Sequence, residues 1–127
     1  MAIEWESYFE YPYRISSEKI VRTFDSGQLM GDPWCSYLAL PNTNVAVERV
    51  AARVKQGGHD IPAIIINRRF HRSLRNLIRL YMSLVNRWKV FDNYSTPPVL
   101  IARGTRNRKL IVQEQAWQTL NELAQKA

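Results

Sequence analysis

Two adjacent glycines, Gly57 and Gly58, separate two stretches of helical periodicity, and no other feature constrains the backbone as tightly. A helix that meets such a pair stops there, because its end needs a residue that tolerates positive φ. Pro62, four residues later, suits the first turn of a new helix. The stretch from Arg49 to Phe70 therefore reads as helix, corner, helix. Arg49 and Arg53 lie on the first helix, Arg68 and Arg69 on the second, and His59-Asp60 sits between them.

Each helix has an apolar stripe. On the first, Val47, Val50, Ala51 and Val54 recur at i, i+3, i+4 and i+7, with Arg49, Arg53 and Gln56 on another face. On the second, Ile66, Phe70, Leu74, Leu77, Tyr81, Leu84 and Trp88 recur at steps of three and four, which predicts about six turns. Arg68, Arg72, Arg75 and Arg79 lag that stripe by two residues, about 200° at 100° per residue, and so face solvent. Arg69, Ser73 and Asn76 fall on the polar flank of the stripe, within reach of a neighbouring element.

Short apolar runs surround this unit. Trp34 to Leu40, bounded by Pro33 and Pro41, reads as a buried strand, and Asn42, Thr43 and Asn44 after it offer helix caps. Trp88 to Asn93 alternates as a strand and ends in an Asp-Asn turn. Val99 to Ala102 and Lys109 to Gln113 predict two more strands around a turn at Gly104 to Asn107. Glu114 to Ala127 closes the chain as a helix that buries Ala116, Trp117, Leu120, Leu123 and Ala124. Strands alternating with helices predict an α/β fold, a small sheet flanked by helices. Residues 1–33, with Trp5, Tyr8, Phe9, Tyr11 and Tyr13 crowded together, form a separate N-terminal segment that reads as a local aromatic cluster, and residues 34–127 form the main unit.

Charge is unevenly spread. The net +7 resolves into −4 over residues 1–48 (3 basic, 7 acidic), +12 over 49–109 (14 basic, 2 acidic) and −1 over 110–127 (1 basic, 2 acidic). The basic centre implies an anionic partner: nucleotide phosphates, nucleic acid or an acidic protein face. Several chemistries lack their residues. One cysteine, Cys35, gives no internal disulfide or cysteine metal cluster, and His59 and His71 are not spaced as metal ligands on one helix. There is no G-x-S-x-G nucleophile elbow, no G-x-x-x-x-G-K-[ST] loop and no G-x-G-x-x-G turn. No run is long enough to span a membrane and no secretory leader is evident, so a cytoplasmic protein is expected.

The arginines beside the corner carry the functional signal. Guanidinium forks bind phosphate oxygens in pairs, and arginines closing on a nucleotide from two sides stabilise charge on a transferring phosphoryl group. Tyr37-Leu38-Ala39-Leu40-Pro41, Ala46 to Val54, Gly57-Gly58-His59-Asp60-Ile61-Pro62, Arg68-Arg69-Phe70 and Ser73-Leu74-Arg75-Asn76 resemble the C-terminal half of zeta-toxin-like P-loop kinases. Trp88 to Asn93 and Leu100-Ile101-Ala102 continue the resemblance, with Leu110 to Val112 and Ala116-Trp117 as a weaker extension, over roughly residues 36–120.

That resemblance implies a partial P-loop-kinase fold and ATP as ligand, the corner being a lid. Arg53 and Arg69, or its neighbour Arg68, would then contact phosphates, with His59 beside them. The family phosphorylates an activated amino sugar of bacterial cell-wall synthesis, uses Mg²⁺ and is held inactive by an antitoxin. The chain lacks the Walker A half with its lysine and acidic Mg²⁺ ligands, so the expected product is a nucleotide-binding fragment without transferase competence. An open sheet edge where that half would pair predicts either self-association or partial disorder near residues 1–31, and the resemblance adds an antitoxin or the missing N-terminal half as partners. The alternative is a basic module in which Arg68, Arg72, Arg75 and Arg79 engage nucleic acid or an acidic protein.

Overall fold

The computed structural model describes residues 2–5 and 34–126; for 2–5 and Trp34 it describes the backbone alone. The expected aromatic cluster of the N-terminal segment lies outside the described residues. Five strands form one mixed sheet in sequence order. They are β1 (Ala2–Trp5), β2 (Trp34–Ala39), β3 (Arg87–Asp92), β4 (Val99–Thr105) and β5 (Lys109–Ile111). The first three run parallel, and β4 and β5 continue antiparallel. Helices α1 (Thr43–Lys55) and α2 (Ala63–Asn76) join β2 to β3, and α3 (Glu114–Gln125) closes the chain. The α/β expectation of a small sheet flanked by helices holds.

Local chemistry sets the boundaries. Asn42 caps α1, its side-chain oxygen accepting from the Val45 amide at 3.0 Å. α2 continues through a π-helical turn (Leu77–Tyr81) and a last α-turn (Met82–Leu84). Apolar residues at steps of four drift by about 40° per step around an ideal helix. The wider π-turn takes up drift and keeps Leu77 and Tyr81 in the core with Ile66, Phe70 and Leu74. Trp88, which fits both the end of that stripe and the start of the alternating run to Asn93, lies on β3, because the helix ends at Leu84.

The core is one cluster between the helices and one sheet face. Cys35, Tyr37 and Ala39 of β2 and Trp88 and Val90 of β3 point into it. A bulge between β3 and β4 leaves Ile101 as the extra residue, so Ile101 and Ala102 are both buried. Trp88 and Trp117 stack with centroids 5.8 Å apart and planes 13° apart, docking α3 on the sheet. His71 Nδ1 lies 2.9 Å from the Leu123 carbonyl oxygen and ties α2 to α3.

Three details differ from the sequence reading. On α1 the buried positions are Ala46 and Val50, while Ala51 and Val54 are exposed, because the helix rests on α2 along a narrower face than its apolar content suggests. Gly104 lies in β4 rather than in the turn: a Cβ there would come within 2.5 Å of the Trp88 ring and 2.7 Å of the Arg108 carbonyl oxygen. The edge of β2 is not open, since β1 pairs along it from Ala2 to Trp5, so the outer parallel edge belongs to β1.

Candidate functional site

The corner is a Schellman turn. Beyond the Gln56 cap, the Gly57 amide donates to the Val54 carbonyl at 3.0 Å and the Gly58 amide to the Arg53 carbonyl at 2.7 Å. Gly57 has φ +97°, the one positive φ among the described residues. A Cβ at Gly58 would lie 2.9 Å from the Arg53 carbonyl oxygen. Both glycines are therefore demanded by backbone geometry, and that geometry holds the Arg53 main chain at the corner through two donors, Gln56 and Gly58.

Beyond the corner, Pro62 stands at the N-cap of α2, one residue earlier than expected. It supplies no side-chain cap, and the first turn of α2 contains no acidic residue. Asp60 precedes the helix and is exposed, as is His59. The start of α2 thus offers main-chain N–H groups and the positive end of a helix dipole.

The four predicted site residues fall into two settings. Arg53, in the last turn of α1, and His59 and Arg68 are exposed. Arg69 is half-buried. Its flank is fixed by Ser73, which is buried and hydrogen-bonded to the Tyr37 hydroxyl of β2 at 2.7 Å. Four residues, just over one helical turn, separate Arg69 from Ser73, so Arg69 lies over the sheet side of α2, about 6 Å nearer the helix start. Because β2 and β3 are parallel and joined by α1 and α2, that start lies at the carboxyl ends of the strands. Ligands of open α/β sheets bind at this end. Arg53, Arg69 and Arg72 are each engaged in an interaction of the folded chain. On the outer face of α2, Arg68, Arg72 and Arg79 are exposed and Arg75 is half-buried, the solvated stripe that the spacing predicted.

The sequence reading missed what lies at the strand ends. Arg49 donates to the Asn93 carbonyl at 2.6 Å, clamping α1 to the end of β3. Asp92 accepts from the Tyr94 amide at 2.9 Å and borders a small cavity of about 110 Å³ with Leu40, Ile101, Thr119 and Leu120. The Asp-Asn turn after an alternating strand was its signal. In the core, burial pushes the Cys35 thiol up to about 12. Burial also raises the Tyr37 phenol, against the opposing effect of its Ser73 hydrogen bond. Neither is poised as a nucleophile or base near neutrality. Among the described residues, no group of three or more His, Cys, Asp or Glu could hold a metal, and no helix is long and apolar enough to cross a membrane.

Compared with protein-family models, with curated proteins and with solved structures, the chain gives no match in any of the three. None of the three identifies the chain as a zeta-toxin-like kinase.

Proposed function

We propose that the chain binds the phosphates of a nucleotide, ATP in the first instance, at the carboxyl end of β2 and β3, with the glycine corner as its lid. The supporting observation is the Schellman turn, which holds the Arg53 main chain at the corner leading into an uncapped, acid-free helix start, with Arg69 on the sheet side of that next helix. Arg53 and Arg69 grip phosphate oxygens from two helices, with Arg68 and His59 at the rim. This is the arrangement implied by a zeta-toxin-like lid. With no Walker A loop in the sequence, the chain supplies affinity without the apparatus for phosphoryl transfer.

Isothermal titration with ATP tests this. Binding is expected in the high micromolar to millimolar range. Arg53→Ala and Arg69→Ala should each weaken it about tenfold, the scale of a lost charge-assisted hydrogen bond. No ADP should form. Absence of binding at millimolar ATP would sink the proposal. A second reading is favoured by the exposure of Arg68, Arg72 and Arg79 along one helix face: a nucleic-acid contact through phosphates alone.

A further inference from the structure

One face of the sheet is covered by no helix among the described residues. Cross-strand register sorts the side chains. Those of Tyr37, Val90, Ala102 and Ile111 form a row toward the helices. Between such rows lie Ser36, Lys89, Arg103 and Leu110, and next to them Leu38, Phe91 and Leu100, all facing the other way. Leu38, Phe91 and Leu100 are half-buried yet stand outside the core cluster and its packed neighbours. Leu110 is 51 % exposed. Arg87, Lys89 and Arg103 are exposed around this apolar row. A depression of about 290 Å³ over β2 and β3 is lined, among the described residues, by Ser36, Arg87, Lys89 and Phe91 together with Cys35 and Trp88. Parallel strands are normally covered on both faces, so an apolar row here marks a layer this chain's described helices do not supply.

We propose that this face docks an acidic amphipathic helix of a partner protein. Its apolar stripe lies along Leu38, Phe91 and Leu100, and its flanking carboxylates meet Lys89 and Arg103. Size selects a single helix: β2 to β5 span about 15 Å and a six-residue strand about 20 Å, room for one helix of about 13 residues. Charge selects an acidic one, because the described side chains of this face include the exposed Lys89 and Arg103 and no carboxylate. The register of β1 places Glu4 beside Ser36, on the border away from Arg103. A second copy fits poorly, since it would set Lys89 and Arg103 against their own kind. Nucleic acid fits poorly too: the row is aliphatic but for Phe91 and offers few stacking platforms. This surface is separate from the nucleotide site proposed above and stands or falls independently of it.

The probe is a fluorescein-labelled helical peptide of about 16 residues with leucines at i, i+3, i+4 and i+7 and glutamates elsewhere, read by anisotropy on the full chain. A twin with lysine for glutamate is the control. The acidic peptide should bind with an affinity that falls as salt rises, and the basic twin should not bind. Lys89→Glu with Arg103→Glu should weaken binding at least tenfold, as should Leu110→Ser, with circular dichroism unchanged. Arg72→Glu, on the outer face of α2, should leave it unaltered. No binding at about 100 μM peptide, or binding indifferent to the sheet-face variants, overturns the proposal. So does capture of the same face by phosphatidylserine vesicles or duplex DNA in preference to the peptide.

Discussion

Tyr37 and Ser73 make the one buried side-chain pair that joins the sheet to α2 by a hydrogen bond among those described. Its worth is asymmetric. Ser73→Ala strands the buried Tyr37 hydroxyl, a cost of about 1–3 kcal/mol. Tyr37→Phe leaves only the serine hydroxyl, which can turn to a carbonyl of its own helix, so about 1 kcal/mol or less is expected. The double variant should be less destabilised than the sum of the two, and urea unfolding of all four proteins measures the coupling. Cys35, close to Tyr37, gives a pH dependence. Burial raises its folded pKa from an ordinary 9.0 to about 12, so the folded state holds the proton more tightly than the unfolded one. The associated stability is complete below pH 9 and falls as pH rises toward 12, with a limiting slope of about 1.4 kcal/mol per pH unit. Tyr37, shifted in the same direction, adds to the loss at higher pH. Cys35→Ala should lessen the slope of urea midpoint against pH between 9 and 11; an unchanged slope would remove Cys35 from this account.

At the scale of elements, the β3–β4–β5 ribbon depends on a missing methyl group. Gly104 pairs with both Trp88 and Lys109, and its absent side chain makes room for the indole that Trp117 stacks on. Gly104→Ala must displace a wedged ring or a backbone carbonyl, and overpacking of this kind costs about 1–3 kcal/mol. Thermal unfolding should show a lowered midpoint together with a changed near-ultraviolet tryptophan signal; a wild-type midpoint would mean that the ribbon opens freely. Gly104 also shows where the sequence stopped being informative. A glycine followed by Thr-Arg-Asn looks like turn chemistry, and only the pairing partner reveals a glycine chosen for a neighbour's bulk. The same limit explains α1: its spacing identified a stripe, but which part of it is buried depends on where α2 lies. Long-range geometry was otherwise legible wherever period and punctuation agreed, as at Pro33–Pro41, Asn42 and Gly57-Gly58. The flank of α2 was legible too, since two residues beyond the core stripe and three residues beyond it face different surroundings. That distinction separated Ser73, now buried, from the exposed Arg72. The clamp of Arg49 was not, because its partner Asn93 lies 44 residues away and only the assembled sheet brings it into position; Asp92, which bonds the Tyr94 amide two residues on, was signalled by its Asp-Asn turn.

Across the whole molecule, the positive charge of residues 49–109 is divided among surfaces rather than pooled. The outer face of α2 carries Arg68, Arg72 and Arg79, the sheet face away from the described helices carries Arg87, Lys89 and Arg103, and the β4–β5 hairpin adds Arg106, Arg108 and Lys109. With the cations so divided, the proposed nucleotide and helix sites and the alternative nucleic-acid contact can be tested separately. From Arg68 to Arg79 the rise along α2 is about 16 Å, enough to follow a few phosphates of one strand. Arg68, Arg72 and Arg79 with the half-buried Arg75, neutralising four phosphates on duplex DNA, give a slope of about −3.6 in log affinity against log salt. Between 50 and 200 mM salt the affinity would then fall by about two orders of magnitude. Reversing Arg68, Arg72 and Arg79 to glutamate should abolish duplex binding at low salt, whereas reversing Lys89 and Arg103 should leave most of it. A slope near zero, or equal losses from both sets of reversals, would exclude α2 as a distinct nucleic-acid surface and leave the arginines of the glycine corner as the chain's principal anion contact.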